Sequence, residues 1–165
     1  MVRIGEIRVP ESVAGVNGFL VLTKRYGEWN TPVMRDLLLG VGLAFLALSA
    51  LFHFYVFYLE SVAWTKPKTW KTFRIPSQEH AEIIRPMALN QGFYNLFLAL
   101  GIVIGLVLLP THSTIGYTLM ISAASSIVGA GLVLLASVKG SARSAAMQAG
   151  PALLGILFLL VGLNQ

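Results

Sequence analysis

Leu37 to Leu59 reads LLLGVGLAFLALSALFHFYVFYL, 23 residues with no charged side chain. A helix that crosses a bilayer needs roughly 20 mostly apolar residues, because it rises about 1.5 Å per residue through a hydrocarbon core of about 30 Å. Leu37–Leu59 meets that need and is interrupted only by Ser49 and His53. Three more stretches follow. Met87–Leu109 is polar at its start and continuously apolar from Leu96, Ile115–Val138 is rich in Gly, Ala and Ser, and Ala145–Leu163 contains Gln148 and Pro151. All four read as helices, since a lone helix satisfies its own backbone in lipid and an open strand does not. The expected fold is all-α, an integral membrane four-helix antiparallel bundle with no internal repeat between its halves.

Composition agrees with lipid as the solvent. The 165 residues are 56% hydrophobic and only 12% charged, where a soluble domain carries about 25%, and the mean hydropathy is +0.74. The net charge of +5 sits in segments between the apolar stretches, so anionic headgroups are a simpler partner than nucleic acid. Cysteine is absent, which excludes disulfides, thiolate catalysis and Cys-ligated metals.

Residues 1–33 read as an N-terminal tail ahead of a membrane domain over 34–165. Val13–Thr23 is apolar but about half as long as a span. The basic pair Lys24-Arg25 follows this stretch instead of preceding it, the reverse of a signal peptide. Met34, just before the first span, stands where a natural start would fall. Orientation follows from Lys and Arg near the spans. The linker 61–86 carries Lys66, Lys68, Lys71, Arg74 and Arg85, and the turn after the third span adds Lys139 and Arg143. The other side carries none in the turn Pro110–Thr114 or after Leu163, and five in the N-terminal segment ahead of the first span, of which Arg3 and Arg8 lie too far from the span to count much. The linker is therefore expected in the cytoplasm, with both termini outside a cell membrane. Its run Lys66-Pro67-Lys68-Thr69-Trp70-Lys71-Thr72-Phe73-Arg74-Ile75 interleaves bases with aromatics, the composition of a segment in the headgroup layer. Ser77–Ile84 has room for two helical turns, and Pro86 marks the start of the second span.

The informative residues are those that lipid rejects. His53, Phe57, Glu60 and Trp64 recur at spacings of four, three and four and so share a helix face. The second span opens with Asn90-Gln91-Gly92-Phe93-Tyr94-Asn95, and Gln148 precedes Gly150-Pro151 in the fourth. Alternating helix direction puts the end of span one and the starts of spans two and four at one membrane face. Glu60, Asn90, Gln91, Tyr94, Asn95 and Gln148 are brought to one leaflet however the loops fold. Polar groups at such depth are expensive and usually face a bundle interior or wet cavity. An imidazole and a carboxylic acid are able to move a proton, which makes His53 and Glu60 the catalytic candidates. Trp64, Asn90, Gln91, Tyr94, Asn95 and Gln148 are the candidate ligand-binding residues. The bland alternative is that the amides are packing glue, contributing about 0.6 kcal/mol each.

Other features are weaker. Ser122, Ser125, Ser126, Gly129, Ala130 and Gly131 form a small-residue seam, suited to close packing or a homodimer face on span three. His80 with Glu79 and Glu82 has the composition of a metal site, but a solvated helix face explains it better. No phosphate loop, dinucleotide fingerprint or HExxH occurs, and no metal or cofactor is expected.

The order His53-x6-Glu60-x3-Trp64, then Asn90-Gln91-Gly92-x-Tyr94-Asn95, a Gly/Ala-rich third span and Gln148-x2-Pro151-Ala152 resembles the small bacterial membrane proteins of the domain of unknown function 1304 family. The resemblance runs from about Met34 to Leu163, with Asn-Gln-Gly-x-Tyr-Asn its most specific part. It implies an architecture and ranks positions, and names no reaction. Sterol isomerases of the emopamil-binding type share the plan of His, Glu, Asn and Trp inside a bundle, by analogy alone. Small multidrug transporters also carry a glutamate in the first of four spans, but well inside the helix, whereas Glu60 closes this one.

The function expected from these residues is binding, or acid–base conversion, of a lipid or isoprenoid-like small molecule in a polar pocket near the cytoplasmic leaflet. A small transporter or permeation protein is the rival, and it requires a polar track to the far face, where Leu96–Leu109 offers nothing polar. A structural membrane subunit is the third reading. It requires that the polar cluster be fully packed.

Overall fold

The computed structural model describes residues 31–165. Most of the tail expected over 1–33 lies outside the described residues. Four long apolar helices form an all-α bundle, joined by a short linker helix. Helix α1 spans Pro32–Phe57 and continues as a π-helical turn over Tyr58–Val62. Helix α2 spans Pro67–Thr72, α3 Gln78–Leu108, α4 Ser113–Ser137 and α5 Ala142–Leu163. Each of α1, α3, α4 and α5 is long and apolar enough to cross a membrane. The chain is a multi-pass membrane protein.

Local chemistry sets the helix starts. Thr31 caps α1 by accepting from the Met34 amide, with Pro32 in the first turn where no N–H is needed. Ser77 caps α3 in the same way through the His80 amide. The turns before Pro86 fuse with the second span, so α3 runs 31 residues without a break. At about 1.5 Å per residue that is about 46 Å, and its first turns project beyond the hydrocarbon. A turn at Gly140, with φ of 78°, reverses the chain between α4 and α5.

Neighbours in sequence are neighbours in space, and α5 closes the ring against α1. Leu39 meets Gly162, Gly42 meets Leu159, and Leu46 meets Gly155. Each step along α1 is matched by an equal step back along α5, which is antiparallel packing. Two close approaches depend on glycine. A Cβ at Gly155 would stand 2.6 Å from Leu46 Cδ2, and one at Gly105 would stand 2.7 Å from the Gly116 carbonyl. Small residues let membrane helices gain contacts where no hydrophobic effect drives them together.

The interior is divided along the bundle axis. Away from the linker it is filled by Leu46, Ile102, Met120 and Leu159, all fully buried. The buried polar side chains Ser49, His53, Glu60 and Asn95 lie from the middle of the bundle toward the linker end. The outside is covered with exposed Leu, Val, Ile and Phe, a surface that only lipid solvates. Of the span-three seam, Ser122, Ser125, Ser126, Gly129 and Ala130 face outward, while Gly131 packs inward against Ala149.

Candidate functional site

Glu60 sits in the π-helical turn, where the Ala63 amide reaches back five residues to the Tyr58 carbonyl at 2.9 Å. Such turns widen a helix by one residue and occur often at functional sites. Glu60 is buried with 8% exposure, and its Oε2 accepts a 2.9 Å hydrogen bond from Asn95 Nδ2 on α3. The same amide nitrogen donates to the Gln91 carbonyl at 3.0 Å, which holds the Asn95 side chain in place. Gly92 explains how α3 comes so near. Its backbone lies against the Glu60 turn, and a Cβ there would collide with Ser61 Oγ. Ser61 in turn donates a long hydrogen bond of 3.4 Å to the Leu89 carbonyl. Glu60 Oε1 has no hydrogen-bond partner among the described residues, and it is not among the sealed, unpartnered atoms.

His53 is fully buried about 10 Å deeper, seven residues back along the helix. Its Nδ1 bonds the Ser49 carbonyl at 2.8 Å. Its Nε2 and the Ser49 hydroxyl are sealed from solvent without any partner. Ala50, Ala99, Ala124 and Ala152 are buried in the same core. The register pairing Leu46 with Gly155 brings Gln148 level with His53. Gln148 is half-buried. Unpaired polar atoms in a dry interior carry a desolvation cost of about 1–3 kcal/mol each, so Ser49 and His53 are retained at the expense of stability.

Trp64 is buried at the linker end of the bundle. Its indole N–H donates to the Ala81 carbonyl at 2.8 Å, and its ring packs against Phe73 with centroids 5.4 Å apart. Trp70 donates to Gln78 Oε1 at 2.8 Å, and Arg74 reaches across to the Gly140 carbonyl at 3.2 Å. The linker thus folds over the bundle end, with the ammonium groups of Lys66, Lys68 and Lys71 on its exposed side. Trp64 has spent its only donor on this docking. It ties the linker to α3 and has no polar atom left for a ligand.

The structure joins some of the sequence-nominated residues and separates others. Glu60, Asn95 and Trp64 are buried together at the linker end, with His53 below them. Asn90, Gln91 and Tyr94 are exposed on the outer face of α3. Asn90 and Tyr94 line a shallow groove of about 450 Å³ with Pro86, Leu89, Phe93 and Phe97. Gln91 contributes its backbone carbonyl instead of its side chain. Three positions carry more than sequence reasoning assigned to them: Gly92, Ser49 and Ser61. The serine–histidine pair was visible as an i, i+4 polar interruption of an apolar run. His80 is engaged by Ser77, whose hydroxyl lies 2.8 Å from its Nδ1. No group of three potential ligands gathers for a metal ion among the described residues.

The family model described as "Protein of unknown function (DUF1304)" matches residues 47–160. That segment contains His53, Glu60, Asn95 and Gln148. No curated protein and no solved structure matches the chain.

Proposed function

The chain belongs to the DUF1304 family, and from that premise we propose that it binds, or converts by acid–base chemistry, a lipid or isoprenoid-like small molecule whose polar end reaches Glu60. The observation that carries this reading is the Glu60–Asn95 hydrogen bond, which holds a carboxyl group inside a membrane bundle and leaves one of its oxygens without a partner. Glu60 Oε1 and the Asn95 carbonyl suit a hydroxyl or amine on the ligand. His53 Nε2, two turns deeper, is the second proton-exchanging group. By its surplus of Lys and Arg the linker end faces the cytoplasm of a cell membrane, with both termini outside.

A structural membrane subunit is the second reading. It draws support from the two outer grooves, neither of which is lined by His53 or Glu60. A permeation role has the least support, because Leu46, Ile102, Met120 and Leu159 fill the far half of the bundle.

Extraction of apolar small molecules from the purified chain distinguishes the first two readings. The ligand reading expects a molecule with a hydroxyl or amine that co-purifies with the wild type and is lost from Glu60→Gln and His53→Ala. Equal extracts from all three proteins contradict it.

A further inference from the structure

A second site lies on the opposite side of α1 from the face that meets α3. A lipid-facing groove of about 430 Å³ runs between α1 and α5, lined by Leu48, Phe52, Ala146, Met147, Pro151 and Arg143. Five of the six are apolar, and Arg143 is the only charge. From Arg143 to Pro151 the groove extends about 12 Å along α5, close to the depth of one hydrocarbon leaflet at about 15 Å. Arg143 is in the first turn of α5, at the membrane face that also carries Lys66, Lys68, Lys71 and Lys139.

The other described arginines are engaged. Arg35 pairs with Asp36, Arg85 with Glu82, and Arg74 with the Gly140 carbonyl. Arg143 has no hydrogen bond or ion pair among the described residues. The exposed carboxylates at this end, Glu79 and Glu82, are on α3, diagonal to α5 in the ring. A guanidinium at headgroup depth, above an apolar channel, is complementary to a phosphate that carries an acyl chain.

We propose that this groove binds an anionic phospholipid, with the phosphate on Arg143 and one acyl chain against Leu48, Phe52, Met147 and Pro151. The site stands independently of the Glu60 reading, since no groove residue is shared with it.

The test is native mass spectrometry of the full chain, released from micelles containing equal amounts of phosphatidylglycerol and phosphatidylcholine with matched acyl chains. The wild type should retain phosphatidylglycerol about fivefold or more over phosphatidylcholine, the preference expected of one basic side chain at the membrane surface. Arg143→Gln should lose that preference, while Lys139→Gln at the same membrane face should keep it. Leu48→Trp, which fills the groove and leaves Arg143 in place, should lose the retained lipid. Wild-type retention without preference would overturn the proposal, as would a preference that survives Arg143→Gln or a lipid that survives Leu48→Trp.

Discussion

Asn95 Nδ2 donates to Glu60 Oε2 at 2.9 Å across 35 residues of sequence, and this bond fastens the second span to the end of the first. The carboxyl is nearly enclosed, so the amide is its main source of compensation.

Removing the amide should therefore cost more than an average hydrogen bond between membrane helices. Asn95→Ala should lower stability by about 1–3 kcal/mol, the penalty of a buried group left without its donor. Asn95→Ala combined with Glu60→Leu should recover much of that loss. Unfolding of the four proteins of this double-mutant cycle in detergent, followed by circular dichroism, measures the coupling. A coupling near zero would mean that the bond contributes nothing to the bundle.

Gly92 should accept no side chain while Ser61 keeps its hydroxymethyl group. A Cβ at Gly92 collides with Ser61 Oγ and comes within 3.2 Å of Glu60 Cβ, so Gly92→Ala should destabilise by about 1–3 kcal/mol through overpacking. Ser61→Gly in the same chain should relieve most of it. The thermal midpoints of the two single variants and the double variant check this. Additive losses would count against the close approach.

His53 should be a site where stability and function oppose each other. Its Nε2 is sealed and unpartnered, so His53→Leu removes an unsatisfied polar atom from the interior. The thermal midpoint should stay level or rise, while retention of the co-purifying molecule falls. A variant that unfolds readily instead would show that the imidazole makes a stabilising contact.

Trp64→Phe should loosen the linker without disturbing the spans. It deletes the N–H donated to Ala81 and keeps most of the ring that packs on Phe73, a change of about 0.5–1.5 kcal/mol. Protease cleavage between Lys66 and Arg74 should accelerate, with helical content unchanged. Cleavage at the wild-type rate would show that the indole N–H does not hold the linker.

The four helices were legible because each span is a long apolar window, a signal that needs no knowledge of packing. The meeting of Glu60 with Asn95 was also within reach, since antiparallel alternation alone sets them at one level. The choice among Asn90, Gln91, Tyr94 and Asn95 was not. Successive residues are about 100° apart on a helix, so positions 90–95 encircle α3, and only the approach at Gly92 selects Asn95 as the inward one. The docking of the linker was not legible either. Its alternating bases and aromatics suggested a segment in the headgroup layer, and composition gave no sign that Trp64 and Trp70 each donate a hydrogen bond to the start of α3. The π-helical turn has no residue signature, because it is a pattern of backbone hydrogen bonds and Tyr58–Val62 carries no glycine or proline to announce it.

Whether a ligand sits beside Glu60 is decided by an experimental structure of the full chain in a lipidic mesophase. The polar end of a lipid-like molecule should lie within hydrogen-bond distance, about 2.7–3.2 Å, of Glu60 Oε1 or the Asn95 carbonyl oxygen. A Glu60 carboxyl closed in by protein groups alone, with both oxygens satisfied and no ligand beside it, would contradict the claim and leave the structural reading in its place.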